Sequence, residues 1–183
     1  MSYMCTVKQG NLLQEEDATF IVNASNTRLI LGTGVSMAFK DHCGAILQQE
    51  MLEKYQSVEK PIKQGTVFGT SSGEAINFKY ALHASVMNYT QGTRYTEKLP
   101  TLQTIHDILE NIEGYLSWYS QKCNNSMKLV LPLMGCGVCG LEKEMVIKTY
   151  KSFFERKVPF DCEVIVYGYT QDDYKLIQSI LID

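Results

Sequence analysis

The residues best placed to do chemistry are three glycines. KLVLPLMGCGVCGLEKEMVIKTY sets Gly135, Gly137 and Gly140 between an apolar, strand-like run and a helix-like one. Glycine lets a backbone approach an anion closely, and the unpaired amides of a helix N-terminus, with their partial positive charge, supply donors without a lysine. Gly135, Cys136, Gly137, Val138, Cys139 and Gly140 therefore read as a pyrophosphate-binding loop. A second segment, IVNASNTRLILGTGVSMAF, places Asn23 and Asn26 at a strand end, with Gly32, Thr33, Gly34 and Val35 opening a helix. An asparagine side chain both donates and accepts, so Asn26 suits sugar hydroxyls, while Asn23, nearer the strand, suits tying the loop to itself. Two such loops in one chain suggest two walls of one cleft.

Four rival readings compete for the glycine loop. A Rossmann dinucleotide site normally opens its fold and needs several further strands after it, with an acidic residue ending the next strand. The run after Gly140 instead reaches Tyr167 to Tyr169 before Asp172. Cys136 and Cys139 form a CxxC pair at a helix start, a position that lowers a thiol pKa, but no proline or tryptophan accompanies them. Zinc would need two more ligands, and the adjacent His42 and Cys43 diverge on a helix, so no metal is expected. The plainest alternative is a glycine-rich turn whose thiols simply pack.

The elements that must hold these loops alternate between strand and helix. Strands are expected at Tyr3 to Val7, Ala18 to Val22 (ending in NASN), Gly65 to Thr70, Lys79 to Met87, Met127 to Met134 and Cys162 to Tyr169. Helices are expected from Gly34 to about Gln56, with Gly44 as a possible break, and over Pro100 to Lys122, Leu141 to Arg156 and Asp172 to Leu181. This alternation implies a largely parallel sheet covered on both faces, with function at the carboxyl ends of the strands.

With 183 residues, 45% hydrophobic and 20% charged, the chain has the makeup of one folded domain spanning 1–183. A net charge of −3 argues against a generic grip on nucleic acid. The N-terminal MSYMCTVKQGN lacks a signal pattern, and no run approaches the length of a membrane span, so the expectation is a cytoplasmic protein with reduced cysteines.

These motifs together resemble the macro domain, the ADP-ribose-binding module. The similarity runs nearly end to end, through QGNLL at Gln9, IVNASN at Ile21, GTGV at Gly32, KYALHA at Lys79, PLMGCGVCG at Pro132 and VIVYGY at Val164. It implies a three-layer α/β/α sandwich around a mixed, largely parallel sheet of about six strands. It also implies ADP-ribose or an ADP-ribosylated protein as partner, with no cofactor, for a monomeric chain. By position, the diphosphate would lie between Gly32 to Val35 and Gly135 to Gly140, the distal ribose at Asn26 and adenine on Tyr169. A base stacked on an aromatic ring contributes roughly 1–3 kcal/mol.

The chain departs from the family at three positions. Asn11 stands where an aspartate commonly meets the adenine amino group; an amide can present its carbonyl oxygen there, without charge assistance. Ser36 stands where one hydrolase branch has an aspartate, and Cys139 where another has one. The retained loops favour ligand binding, while Ser36 and Cys139 weigh against hydrolysis of the ADP-ribosyl linkage. Turnover would then rest on Asn26 orienting the ribose and on the substrate's own phosphate. A reader without turnover and a binder of another nucleotide sugar are the alternatives. His83, within an apolar strand, reads as a satisfied core histidine.

Overall fold

Strands apolar at nearly every position belong to sheets covered on both faces, and the computed structural model, which describes residues 1–32, 35–89 and 99–183 (Val35 in backbone only), has that sheet. The strands are β1 (Tyr3–Gln9), β2 (Ala18–Asn26), β3 (Val67–Ser71), β4 (Phe78–Met87), β5 (Met127–Pro132) and β6 (Cys162–Gly168). The helices are α1 (Val35–Cys43), α2 (Ala45–Ser57), α3 (Leu102–Lys122), α4 (Lys143–Phe154) and α5 (Gln171–Ile177), with a π-helical end over Gln178–Ile182. The sheet order is β1-β6-β5-β2-β4-β3, parallel throughout except for β3, which runs antiparallel to β4 at the edge.

Residues of β2, β4, β5 and β6 enter two different cores, one on each face of the sheet. Phe20, Val22, Leu129, Leu131, Val164 and Val166 pack with Ile105, Ile108 and Ile112 of α3 and Val146, Ile147 and Tyr150 of α4. Ile21, Ala81, Val130 and Ile165 pack with Phe39 of α1 and Leu47 and Met51 of α2. The three-layer α/β/α arrangement follows from this two-sided burial. A fully buried side chain of this size contributes roughly 1.5–3 kcal/mol, so each layer adds what neither could hold alone.

Local signals explain the boundaries. Gly44, at φ 75°, ends α1 and separates it from α2, so the long helix expected from Gly34 is two. Thr101 caps α3 through a reciprocal pair with Thr104, and Pro100 precedes the helix rather than entering its first turn. NASN, expected to leave the sheet, stays in it: β2 runs through Asn26, with a register shift between Ser25 and Asn26. Among the described residues no helix is long and apolar enough to cross a membrane.

Candidate functional site

From β2 the chain moves to β3 and β4 on one side of the sheet, and from β5 to β6 on the other. The sheet therefore has its switch point between β2 and β5, where a crevice opens beyond the carboxyl ends of the strands. A cleft of about 580 Å³ lies at this end, lined by Gly10 and Asn11 after β1, Ala38 of α1, Pro132 and Leu133 of β5 and its exit, Cys136, Gly137, Lys143, Tyr167, Tyr169 and Asp173. A larger hollow of about 670 Å³ at the other end of the sheet, among Cys123, Asn124, Asn125 and Pro159, faces no glycine loop. Chemistry rather than volume selects the first.

The glycine loop does not run straight into a helix. Gly137–Cys139 form a single 3-10 turn, Glu142 is extended, and α4 begins only at Lys143. Two backbone bonds close the loop, from the Gly140 amide to the Gly137 carbonyl and from the Leu141 amide to the Gly135 carbonyl, each 3.0 Å. The amides of Gly137 and Val138, first in the 3-10 turn, have no partner within it.

The glycines serve different ends. At Gly135, φ +77°, a side chain would be strained by the backbone, and its β-carbon, 2.7 Å from Leu141 Cδ1, would push the end of that leucine aside. At Gly137, φ +73°, a β-carbon would meet nothing within 4 Å, so the backbone stands open beside the cleft. Gly140 ends the turn in the left-handed region. Val138 is 97% exposed at the tip. Below, the buried Tyr150 hydroxyl donates to the Pro132 carbonyl at 2.7 Å and accepts from the Met134 amide at 3.0 Å, pinning the strand exit. Burial pushes the Cys136 thiol up to about 11, against a smaller opposing effect of Lys143, which removes the basis for a reactive CxxC pair; Cys136 and Cys139 form no disulfide.

In the second loop Asn26 takes the tying role expected of Asn23, and neither asparagine is among the residues lining the cleft. Asn26, 7% exposed, ties the loop: its Oδ1 accepts from the amides of Arg28 (3.0 Å) and Ile30 (3.4 Å), and its Nδ2 donates to the Ile30 carbonyl (3.0 Å). Asn23 instead joins a buried network. Gln48 of α2 braces the same loop, accepting from the Leu31 amide at 2.8 Å and donating to the Leu29 carbonyl at 3.2 Å. Gly32 is exposed; Thr33, Gly34 and the Val35 side chain lie outside the described residues.

At the far rim Tyr169 is 81% exposed, one residue past β6. Asn11 accepts from the Leu13 amide through its side-chain oxygen at 3.0 Å, capping a 3-10 turn. One lone pair of the oxygen expected to meet adenine is thus already engaged, and Nδ2 offers a donor beside it. Lys143 and Asp173, which sequence reasoning did not single out, pair at 2.6 Å across the cleft.

The family model described as Macro domain matches residues 22–150. The chain belongs to the macro domain family. An uncharacterized protein of Saccharolobus solfataricus is 30% identical over 175 residues, covering 92% of this chain and 87% of the relative. Among solved structures, a mutant Oceanobacillus iheyensis macrodomain with ADPR superposes with a TM-score of 0.74 at 18% identity, covering 97% of this chain and 91% of that one. The Trypanosoma brucei macrodomain in complex with ADP gives 0.70 at 18% identity, covering 97% and 68%. At this identity the superpositions speak for the fold.

In this macro domain the second loop rests on a polar chain through the sheet. Ser36 Oγ donates toward Asn23 Oδ1 (3.0 Å) and the Ala24 carbonyl (3.1 Å), and Asn23 Nδ2 meets His83 Nδ1 at 3.0 Å. His83 Nε2 meets Thr70 Oγ1 at 2.8 Å, and Thr70 donates to the Ser71 carbonyl. Since that hydroxyl proton is committed, His83 carries its own on Nε2, and Nδ1 accepts from Asn23. The Ser36 hydroxyl is turned into this chain, and Ser36 is buried.

Burial pushes His83 down to about 3 from its ordinary 6.5. Below pH 6.5 the unfolded chain therefore binds a proton that the folded chain refuses, so stability is whole above about 6.5 and falls as pH drops toward 3. Urea denaturation between about pH 7 and 4.5 should show this loss approaching about 1.4 kcal/mol per pH unit, and His83→Gln should lack that component. Equal slopes in the two proteins would assign the dependence to other groups.

Proposed function

We propose that this macro domain, acting as one unit over residues 1–183, binds ADP-ribose, free or as the group on a modified protein. The base stacks on Tyr169, the diphosphate takes the amides of Gly137 and Val138, and the distal ribose lies toward the loop that Asn26 braces. The observation carrying this is one cleft that unites an open positive-φ glycine, beside amides unpaired within their turn, with an exposed aromatic ring. Anion binding on backbone amides fits a chain of net charge −3, because it needs no basic surface. The macrodomain structures with ADPR and ADP support the same ligand chemistry.

The reading is a binder rather than a hydrolase. Ser36 donates inward, the Asn26 side chain is spent on its own loop, and the carboxylate among the described lining residues, Asp173, is held by Lys143. Calorimetric titration with ADP-ribose should show a single saturable site, and a release assay on mono-ADP-ribosylated protein should show no turnover. Release at a rate clearly above that without protein would make it a hydrolase lacking both familiar carboxylates. Asn11 favours a second reading: its oxygen is engaged by the Leu13 amide and its Nδ2 has no hydrogen-bond partner among the described residues, so the base edge also fits a base that presents an acceptor. Tighter binding of a guanine or uracil nucleotide sugar than of ADP-ribose would establish that ligand instead.

A further inference from the structure

The cleft holds a charged pair whose placement stability does not explain. Lys143 is the first residue of α4, where the helix dipole disfavours a cation. Its side chain reaches Asp173 Oδ1 at 2.6 Å, and Asp173 is 15% exposed at the side chain while Lys143 remains half in solvent. A partly exposed ion pair of this kind adds little to folding. Both residues nevertheless line the cleft, together with Tyr169 and Gly137.

The position of the pair within the cleft is informative. Asp173 lies four residues after Tyr169, with its own amide bonded to the Thr170 hydroxyl that caps α5. Lys143 lies near enough to Cys136, the neighbour of Gly137, to act on its thiol. The pair therefore shares one cleft with the aromatic rim and the phosphate loop. A nucleotide with its base on Tyr169 and its phosphate on Gly137 would carry its sugar within the cleft that Asp173 also lines.

We infer that Asp173 accepts a hydrogen bond from the hydroxyl edge of the adenosine-side ribose, with Lys143 fixing the carboxylate, so that the pair selects a ribose over a sugar lacking those hydroxyls. This rests on the ADP-ribose reading above. Asp173 Oδ1 takes the lysine, and Oδ2 has no side-chain partner among the described residues. A carboxylate so held accepts from a sugar hydroxyl with charge assistance. Lys143, kept protonated by its bond to Asp173, stops the carboxylate from rotating away.

The test is calorimetric titration with two probes, ADP-ribose and its analogue lacking both hydroxyls on the adenosine-side ribose. Wild type should bind the analogue about ten- to a hundredfold more weakly, the range expected for a lost hydrogen bond to a charged group. Asp173→Ala should bind the two probes within about twofold of each other, and Lys143→Met should narrow the preference without erasing it. A purely structural pair would lower the melting temperature or weaken both probes equally. If wild type does not bind ADP-ribose, the ADP-ribose reading falls and takes this inference with it. If wild type binds both probes equally, or a folded Asp173→Ala or Lys143→Met keeps the full preference, this inference alone is overturned.

Discussion

Gly137→Glu should abolish detectable ADP-ribose binding while leaving the protein folded. Nothing lies within 4 Å of a β-carbon at Gly137, so the new side chain extends into open space beside the cleft rather than into the core. Its carboxylate would stand within several ångströms of the bound diphosphate. Two like charges about 4 Å apart repel by roughly 4 kcal/mol at the effective dielectric of a protein surface, close to a thousandfold in affinity. The backbone adds a second effect, because φ +73° costs an L-residue about 1–2 kcal/mol. Gly137→Ala separates the two: it shares the strain and lacks the charge, so it should melt near the glutamate variant yet retain measurable binding. Full affinity in a folded Gly137→Glu protein would move the phosphate site elsewhere.

Gly168→Ala should produce the largest loss of stability among the glycine substitutions at this end of the sheet. A β-carbon at Gly168 would lie 2.5 Å from the Tyr174 amide nitrogen and 2.8 Å from its Cα, both backbone atoms of α5 that no rotamer change can clear. Overpacking of this kind costs about 1–3 kcal/mol or more, and for a chain of this size each kcal/mol lowers the melting temperature by roughly 2–4 °C. The displaced segment carries Asp173 and follows Tyr169 directly, so ADP-ribose affinity should fall with stability. Gly32→Ala, with open space and no positive φ, should leave the melting temperature within about 1 °C of wild type. A Gly168→Ala protein as stable as wild type would mean that α5 shifts without penalty.

Much of this was legible in the sequence because periodicity reports burial. The apolar runs of β2, β5 and β6 and the helical spacing in α3 gave element type and order, and the glycines after β5 pointed to the end of the sheet where the cleft lies. Side-chain commitments were not legible. Asn23 and Asn26 are the same residue type three apart, and only the strand's continuation through Asn26 decides which faces His83 and which faces the loop. Lys143 and Asp173 are separated by 30 residues and look like ordinary surface charges until α4 and α5 pack side by side. The 3-10 turn at Gly137–Cys139 is hidden because its glycines satisfy the pattern of a direct strand-to-helix loop equally well.

The pairing of β1 with β6, Tyr3 against Cys162, has a consequence for how the molecule is made. On a ribosome β1 emerges before the other five strands, but β6, its one neighbour in the sheet among the described residues, emerges after all of them, when β2, β4 and β5 can already have joined. Until then both β1 and the free side of β5 offer unpaired backbone groups to any passing strand. Contacts this distant in sequence slow folding and lengthen exposure to aggregation. A stalled or truncated nascent chain ending before Cys162 is therefore the form most prone to aggregate, and the form for which a chaperone would have the most to do.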